Sequence, residues 1–554
     1  MFRIKLFLIY FCGLLPLTFT SALGQIPYAG RFYQNQETET VSVGENLEAG
    51  VRKDGKLHLT EQEAVEMALA NNLDINVNRH AKLSSDWDIA LNKASYDPVS
   101  AFSYDWHKTT KAASSLLEGG DKLIDILGTY SFSYSQPFSS GTNLEVSFTG
   151  VRNKTSNFFA GYNPSINTHF QAVVSQDLLK GFLKASPEYE IEISLNNSRF
   201  SEESFREQAT AIISQVQESF WNLSAASRVV DANKKALELA RTVHEQNLIH
   251  LEVGTGSELE SIQSQAEFSS RQEELIRAEY TYRNAHDALV KLISSLEDPR
   301  KMNVTIIPEG LEKMLAPETE SFDDLMEAAA ANRPEMEQLD INIRNLEIRY
   351  HQSSDELKPS LSVSGGYEQF GLGGVQIIRD YSGGFFDPPI VEINEGGLGQ
   401  SMSELLSGSY RGFVFGFDFR IPINNTAARA KNAQAKINLD KARMEKRSSR
   451  QLIALDIRDA LTRIEMNKAR ITASDATVMA AGKRLEGEEA RFEVGVGSTR
   501  ELIEAQRDLL QAISTQVEAR TALATSQAVL DKAAGRTFER HGIVLKEAIS
   551  RNVH

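Results

Sequence analysis

The sequence predicts a mainly α-helical protein with a smaller β part, organised as two structural repeats in which long antiparallel coiled-coil helices join amphipathic strands. Three observations lead to this fold class. The same helix-opening and turn motifs occur in both halves, two long blocks lack proline, and several short segments alternate aromatic with polar residues. Repeats of this kind indicate duplicated supersecondary units, and the periodicities separate helices from strands.

The N-terminus has the pattern of a secretory signal peptide. Arg3 and Lys5 precede an apolar run over residues 6–19, and a small-residue cleavage site follows. A transmembrane anchor is the alternative, but the run is shorter than the ~20 residues that a bilayer-spanning helix needs. We therefore predict a signal peptide at 1–24 and an N-terminal extension at 25–58.

Composition and motifs argue against an enzyme and against a nucleic-acid-binding protein. The 554-residue chain has a net charge of −16 and a pI near 5.3, so we expect no basic surface. Its single cysteine, Cys12, lies in the predicted signal peptide, which leaves the mature chain without disulfides or cysteine-ligated metals. Walker-type, GxGxxG, HExxH and GxSxG motifs are missing, and the ten histidines are scattered. We expect no catalytic residue, cofactor or metal site.

The repeat is visible in two landmarks at one spacing. Residues 60–63 (TEQE) and 321–324 (SFDD) each place a hydroxyl before a helix and an acid three residues later, as a capping box does. At the same offset of 261 residues, Pro98 falls on Pro359, where each half changes from helix to strand. We predict a first repeat at 59–298, a linker at 299–320, a second repeat at 321–535 and a C-terminal tail at 536–554.

Each repeat ends in a helical hairpin, predicted at 188–296 and 427–534. LEVGTGS at 251–257 recurs as FEVGVGS at 492–498, and a glutamate follows each serine at capping-box spacing. We interpret both segments as helix-turn-helix tips. The arm before the first tip has no helix breaker and would be about 95 Å long at 1.5 Å per residue. On the first return helix the heptad-spaced apolar residues are predicted to form a coiled-coil seam: Phe268, Leu275, Tyr282 and Leu289.

Period-two alternation predicts strands at 99–107, 169–176, 360–367 and 412–422, with a further hairpin over 130–151. Such alternation fits a half-buried soluble sheet and an outer-membrane barrel equally well. Four to six strands cannot close a lipid-spanning barrel, because known barrels begin at about eight. If these strands span a membrane, several chains must pool them.

Taken together, these features resemble the TolC-like outer-membrane efflux protein family over residues 59–535. The resemblance rests on the duplicated helix openings and tips, on SQDLLKGF at 175–182 after a strand, and on FWNL at 220–223. It implies a homotrimer in outer-membrane lipid, with four strands per chain in a twelve-stranded β-barrel and a helical tunnel in the periplasm. It also implies that the tips contact a periplasmic adaptor (membrane fusion protein) served by an inner-membrane efflux pump or ABC exporter. The implied adaptor-contacting residues are Val253, Gly254, Thr255, Gly256, Val494, Gly495, Val496 and Gly497.

The family closes its tunnel with acidic residues six and nine positions after the second tip glycine. Here these are Glu501 and Glu504, whereas the first repeat has Glu260 and Gln263. The resemblance therefore implies a periplasmic aperture at Glu501 and Glu504, which a divalent cation would plug. Capping and solvation are the alternative roles of this pair. Gly497 stands where the family has a basic residue, so its gating contacts need not transfer to this chain.

Several alternatives stay open at the level of sequence. The insertion at 108–167 is either an extracellular loop or a source of extra barrel strands, and the glycine-rich stretch at 365–412 is expected to be a mobile extracellular loop. A secreted, adhesin-like coiled coil would explain the helices, and a passive porin-like channel would explain the strands. The transported substrate leaves no trace, because a conduit has no substrate pocket.

Overall fold

The computed structural model describes residues 56–113, 120–182, 184–295, 305–310, 320–384, 388–494 and 496–544. The predicted signal peptide lies outside the described residues, as do most of the N-terminal extension, most of the linker and the end of the tail. Gly495 of the second tip also lies outside them.

The order of elements repeats between the two halves, as the sequence predicts. Each half runs from a short strand through a broken helix into long strands, and then into a helical hairpin. The first half contains β1 (Lys56–Leu59), α1 (Glu61–Asn71), α2 (Leu73–Lys93), β2 (Val99–Ala112), β3 (Lys122–Pro137), β4 (Thr142–Thr155), β5 (Tyr162–Asp177), α3 (Ser186–Glu252) and α4 (Glu258–Ile293). The second contains β6 (Thr305–Pro308), α5 (Phe322–Asn332), α6 (Pro334–Asp355), β7 (Ser360–Arg379), β8 (Ile390–Asn394), α7 (Leu398–Ser407), β9 (Arg411–Arg420), α8 (Thr426–Glu493), α9 (Thr499–Ala533) and α10 (Thr537–Arg540).

The two repeats begin with capped helices, but only the first cap is a complete capping box. The Thr60 hydroxyl accepts the Glu63 amide and the Glu63 carboxylate accepts the Thr60 amide. Ser321 instead accepts the Asp323 amide without a reciprocal bond. The reason is chemical, because the shorter aspartate at position 324 reaches back less far than a glutamate.

The arms α3 and α8 are uninterrupted helices of 67 and 68 residues, or about 100 Å at 1.5 Å per residue. Their return helices α4 and α9 have 36 and 35 residues. The predicted seam on α4 is fully buried at Leu289 and half-buried at its other three positions. Towards the tip, the buried positions of α4 are polar, namely Ser261, Ser264, Glu267 and Arg271.

One large sheet contains all four predicted strands together with the predicted hairpin. Its order is β2-β3-β4-β5-β7, with β9 and β8 paired along the far side of β7 and every neighbouring pair antiparallel. The hairpin predicted at 130–151 is longer than expected and forms β3 and β4 between β2 and β5. The insertion therefore adds strands to the sheet, which decides between the two alternatives left open by the sequence.

The expectation of a mobile loop over 365–412 is wrong for much of its length. Strand β7 continues to Arg379, and α7 packs on it and on β5, where the Thr168 and Ser401 hydroxyls lie 2.8 Å apart. A Cβ at Gly371 would meet the Ser401 carbonyl oxygen at 2.0 Å, and one at Gly373 would meet the Gly397 carbonyl oxygen at 2.5 Å. These glycines allow a helix to approach a strand closely, which is a structural role that loop glycines do not have.

The largest apolar core lies where the helical hairpins pack against the short helix α1. It joins α1, α3, α4 and the strand pair β1 and β6, and fully buries Phe205, Phe220 and Ile306. The parallel pairing of β1 with β6 links the two halves and was not predicted from the sequence. Among the helices that the structure describes, none is both long and apolar enough to cross a membrane.

Candidate functional site

The first helical tip is held by two bonds to one carbonyl. After α3 ends, Gly254 adopts a φ of +80°, a left-handed conformation that costs a residue with a Cβ about 1 kcal/mol or more. The amides of Thr255 and Gly256 then donate to the His250 carbonyl at 2.9 and 2.8 Å. Ser257 starts α4 with a complete capping box to Glu260. The chain thus reverses within a few residues without leaving these amides unpaired.

The second tip repeats this geometry at its described residues. The amides of Val496 and Gly497 donate to the Arg491 carbonyl at 3.0 and 2.9 Å, as their counterparts do in the first tip. A Cβ at Gly497 would lie 2.8 Å from the Phe492 nitrogen. Ser498 and Glu501 form the capping box that opens α9. The sequence-based prediction of two equivalent tips is therefore correct, with Gly495 outside the described residues.

Both tips present apolar side chains to solvent. Val253 and Val494 are each 72% exposed and Val496 is 68% exposed. On the flanks of the first tip, Ile249 and Leu259 are 59% and 62% exposed. Clustered apolar residues at the end of a protein rod are unfavourable in water and are typical of a surface that binds another protein.

The acidic pair beyond the second tip already has structural partners. The Glu501 carboxylate accepts the Ser498 amide at 3.5 Å and lies 3.9 Å from Arg491. Glu504 Oε1 lies 3.0 Å from Arg500 Nε, one turn earlier on α9. Both side chains stay about half exposed, at 48% and 47%. The capping role expected of Glu501 is thus present, and Arg500 offsets part of the charge of Glu504.

A larger group of acids surrounds the second tip than the pair alone. Burial raises the pKa of Glu489 above its usual value, and the nearby carboxylates of Glu493 and Glu486 raise it further. These residues belong to the run EGEEARFE before the tip. That run is a sequence signal for a negative tip, and it lies before the tip glycines rather than six to nine positions after them.

A buried charge cluster connects the two hairpins above the tips. On α4, Arg271 donates to Glu267 at 2.7 Å and to Glu274 at 2.6 Å. The Glu267 and Arg271 side chains are only 3% and 6% exposed. Arg507 of α9 also donates to Glu267 through Nη2 and lies 3.4 Å from it through Nε, which raises the pKa of Arg507. The i, i+4 spacing of Glu267 and Arg271 is visible in the sequence, but the partner 240 residues away is not.

An apolar cluster next to these charges packs the hairpins together. It buries Val243 of α3 with Leu485 of α8 and Leu502 of α9. Asn247 also donates to the Thr499 hydroxyl at 3.4 Å. Leu502 directly follows Glu501, so the position of the acidic pair depends on contact between the two hairpins.

Comparison with known proteins agrees with this architecture. Residues 325–536 match the family model described as outer membrane efflux protein. The chain is similar in structure to the CmeC outer membrane channel of Campylobacter jejuni, with a TM-score of 0.60, 17% identity and coverage of 98% of this chain and 97% of that one. It is also similar to the MtrE outer membrane channel of Neisseria gonorrhoeae, with a TM-score of 0.58, 14% identity and coverage of 86% and 88%.

A third similar structure is the outer membrane protein VceC of Vibrio cholerae, with a TM-score of 0.57, 12% identity and coverage of 86% and 96%. At these identities the likeness establishes the fold. No curated protein sequence matches the chain. The family resemblance inferred from the sequence is confirmed, since the matched family model carries the same description and the fold extends over nearly the whole chain.

Proposed function

Because this chain is a TolC-like protein whose residues 325–536 match the outer membrane efflux protein family, we propose that it is the outer-membrane duct of a tripartite efflux or type I secretion system. In this role it passes substrates from the periplasm to the exterior of a Gram-negative-type cell. The sheet lies in the outer membrane and the helical hairpins extend into the periplasm. The chain conducts substrates and has no catalytic step of its own.

The observation that carries this proposal is the junction of an amphipathic sheet with helices about 100 Å long. Strand β9 exposes Phe413, Phe415 and Phe417, at 79%, 83% and 68%, on one face, while Val414, Gly416 and Asp418 alternate with them on the other. An aromatic face towards lipid and a polar face towards water is the pattern of a membrane-spanning barrel. A soluble coiled-coil adhesin needs no such sheet, and a passive porin needs no such helices.

Trimer formation is part of the proposal. A sheet with open edges cannot remain in hydrocarbon, because each unpaired amide and carbonyl costs several kcal/mol there. Several copies must therefore close the wall together, and a homotrimer is the assembly that the family resemblance implies. The helical hairpins of the three copies then surround a continuous tunnel.

The exposed valines at the two tips support contact with a periplasmic adaptor. They lie at the far end of the arms, where an inner-membrane efflux pump or ABC exporter and its adaptor would meet the duct. At the first tip, the Cβ position of Gly254 faces open space, so a partner helix can approach the backbone closely there. At the same end of the helical arms, Glu501 and Glu504 from three copies form a negatively charged aperture that favours cations.

The proposal is tested with the full mature chain purified from outer membranes in detergent. We expect a heat-modifiable trimer that produces discrete conductance steps in a planar lipid bilayer and that co-purifies with an adaptor. Extraction without detergent and no conductance would contradict the duct and favour an adhesin-like coiled coil. Conductance without any adaptor contact, tested by photo-crosslinking from Val253 and Val494, would favour a passive channel.

A further inference from the structure

The two inserted strands β3 and β4 are a full part of the sheet. All fourteen residues of β2 pair with β3, from Val99 opposite Ser135 to Ala112 opposite Lys122. Strand β4 pairs in turn with β5, from Thr142 opposite Gln176 to Asn153 opposite Ser165. A hairpin that only extended a surface loop would not be paired on both sides along its length.

The turn between β3 and β4 is built into the junction with the helices. The Ala185 amide, just before α3, donates to the Ser139 carbonyl at 3.0 Å, and the Asp177 amide donates to the Gly141 carbonyl at 3.2 Å. Gln176 adds a bond from Nε2 to the Ser140 carbonyl at 3.0 Å. At this turn, the ends of β3 and β4 therefore lie level with the start of β2 and the end of β5.

The inserted strands also continue both faces of the sheet. A row of four phenylalanines crosses β2 to β5 in register, Phe102, Phe132, Phe148 and Phe170. The adjacent row on the opposite face is polar and consists of Ser103, Ser131, Thr149 and His169. From β2 to β5, an aromatic row beside a polar row is the pattern of a wall between lipid and water; on β7 the rows end at Gln369 and Phe370.

The sheet ends in two edges that are complementary. Six long strands, β2, β3, β4, β5, β7 and β9, alternate in direction, so β2 and β9 run antiparallel to each other. Strand β8 pairs with β7 beyond the end of β9 and lengthens that edge without adding a strand. Among the described residues, β2 pairs only with β3 and β9 only with β7. A second copy can thus offer its β9 to this β2 in the antiparallel sense.

We infer that three copies close an eighteen-stranded barrel, in which β9 of each chain pairs with β2 of the next. This inference rests on the duct proposed above and departs from the twelve strands that the family resemblance implies. The occupant of each free edge is a second copy of this chain. The outer-membrane end of the duct is consequently wider than four strands per chain would make it.

The width of the helical part is compatible with this number. Beneath the sheet, four helices of each chain lie side by side in the order α2, α3, α6, α8. Twelve helices from three chains, spaced 8–10 Å apart, form a ring about 110 Å around. Strands about 4.8 Å apart and tilted by about 40° give a circumference of about 113 Å for eighteen strands and about 75 Å for twelve. A barrel of eighteen strands is therefore about as wide as the ring of helices below it.

The first test is a deletion of residues 122–155, which removes β3 and β4. Strands β2 and β5 remain antiparallel neighbours, and the loops beyond Ala112 and before Tyr162 connect them at the same end. We expect the variant to form a trimer with a narrower barrel, seen as a lower size limit for polyethylene glycols that enter from the extracellular side of a planar bilayer. The cross-sectional area of the lumen is expected to fall about threefold. This factor follows from the two circumferences once the thickness of the inward side chains is subtracted from each radius. An unchanged size limit would overturn the inference.

A second test uses the full-length chain, in case the deletion does not assemble. F132D/F148D places charges on the aromatic face of the inserted strands, and S131D/T149D places the same charges on the polar face. We expect the first variant to lose membrane insertion and the second to keep it, because lipid rejects charge and a wet lumen does not. Equal tolerance of both variants would show that β3 and β4 lie outside the wall. Failure of the unaltered chain to conduct would instead contradict the proposed duct itself.

Discussion

Arg507 of the second hairpin donates to Glu267 of the first, and so completes a charge cluster whose other base, Arg271, is buried on the same helix as Glu267. The carboxylate therefore serves two arginines, one within its own helix and one across the hairpins. The two arginines are expected to contribute unequally to stability, because Arg271 is buried and Arg507 is exposed to solvent.

Glu267→Ala is expected to destabilise the protein by about 3 kcal/mol, since it leaves the buried Arg271 without its main counter-charge. Arg507→Ala should cost about 1 kcal/mol or less, because Glu267 keeps Arg271 and the Arg507 side chain is already 58% exposed. Thermal unfolding followed by helical circular dichroism measures both. Arg277→Ala, which breaks an exposed pair with Glu273 on the same helix, is the matched control and should have no measurable effect. Equal losses in all three variants would contradict this assignment.

Glu501 and Glu504 are expected to hold a blocking cation at the aperture. In the variant E501Q/E504Q, glutamine keeps the capping geometry that the serine at position 498 needs but removes both charges. Addition of a divalent salt should then no longer reduce bilayer conductance, whereas it should reduce that of the unaltered trimer. The control E258Q/E260Q removes two charges beside the first tip and should leave the block intact. Block that persists in E501Q/E504Q would exclude the pair as the cation site.

The tip glycines are expected to respond differently to alanine. Gly254→Ala has open space around its Cβ but a φ of +80°, so the cost is about 1 kcal/mol of backbone strain. Gly256→Ala brings a Cβ to 2.9 Å from His250 Cβ and 3.0 Å from its carbonyl carbon, and should cost about 1–3 kcal/mol. Hydrogen exchange of the tip amides measures both losses. Gly487→Ala within α8 has open space and helical backbone, so it should instead stabilise the arm by about 0.5–1 kcal/mol.

Asp531 on α9 is expected to make the helical end of the second repeat more stable in mild acid. Burial raises its pKa from 3.8 to about 6, and the nearby Arg540 opposes this shift only in part. An acid whose pKa is raised on folding binds its proton more tightly in the native state, so stability falls as pH rises from about 4 to about 6. Asp531→Asn should remove on the order of 2 kcal/mol of this pH dependence.

Thermal unfolding of the unaltered chain and of Asp531→Asn at pH 4.5 and 7.5 measures the difference between the two pH profiles. His541, whose pKa is lowered mainly by burial, contributes with the opposite sign in both proteins and cancels in this comparison. Identical pH profiles would show that Asp531 is not the titrating group.

The helical hairpins could be predicted almost to the residue, because their signals are local. The serine–glutamate caps at 257–260 and 498–501 and the intervening glycines act within one turn of chain, and the structure contains them as expected. The arms follow from the absence of proline. Contacts such as that of Glu267 with Arg507 could not be predicted, since no local rule relates residues on two different hairpins.

The sheet was predicted less completely, for reasons that lie in particular residues. Strand β3 begins with KLIDIL at 122–127, where apolar residues occur on both faces and hide the alternation. The four-residue strands β1 and β6 are too short to show any period. In β7, Gly371 and Gly373 suggested a loop, whereas their role is to admit α7 against the strand. Tertiary packing decided each of these cases.

Because the helix α3 is continuous, a small change in its angle at the core becomes a larger displacement at the tip. One end is bonded to the sheet through Ala185, the middle is packed in the core through Phe205 and Phe220, and the far end carries the exposed valine of the first tip. From Leu223, a fully buried core residue of α3, about 44 Å of helix reaches the tip, so a tilt of about 5° at this point moves the tip by about 4 Å. A partner bound at the tips can therefore shift the aperture by several ångströms while the core and the strands stay in place.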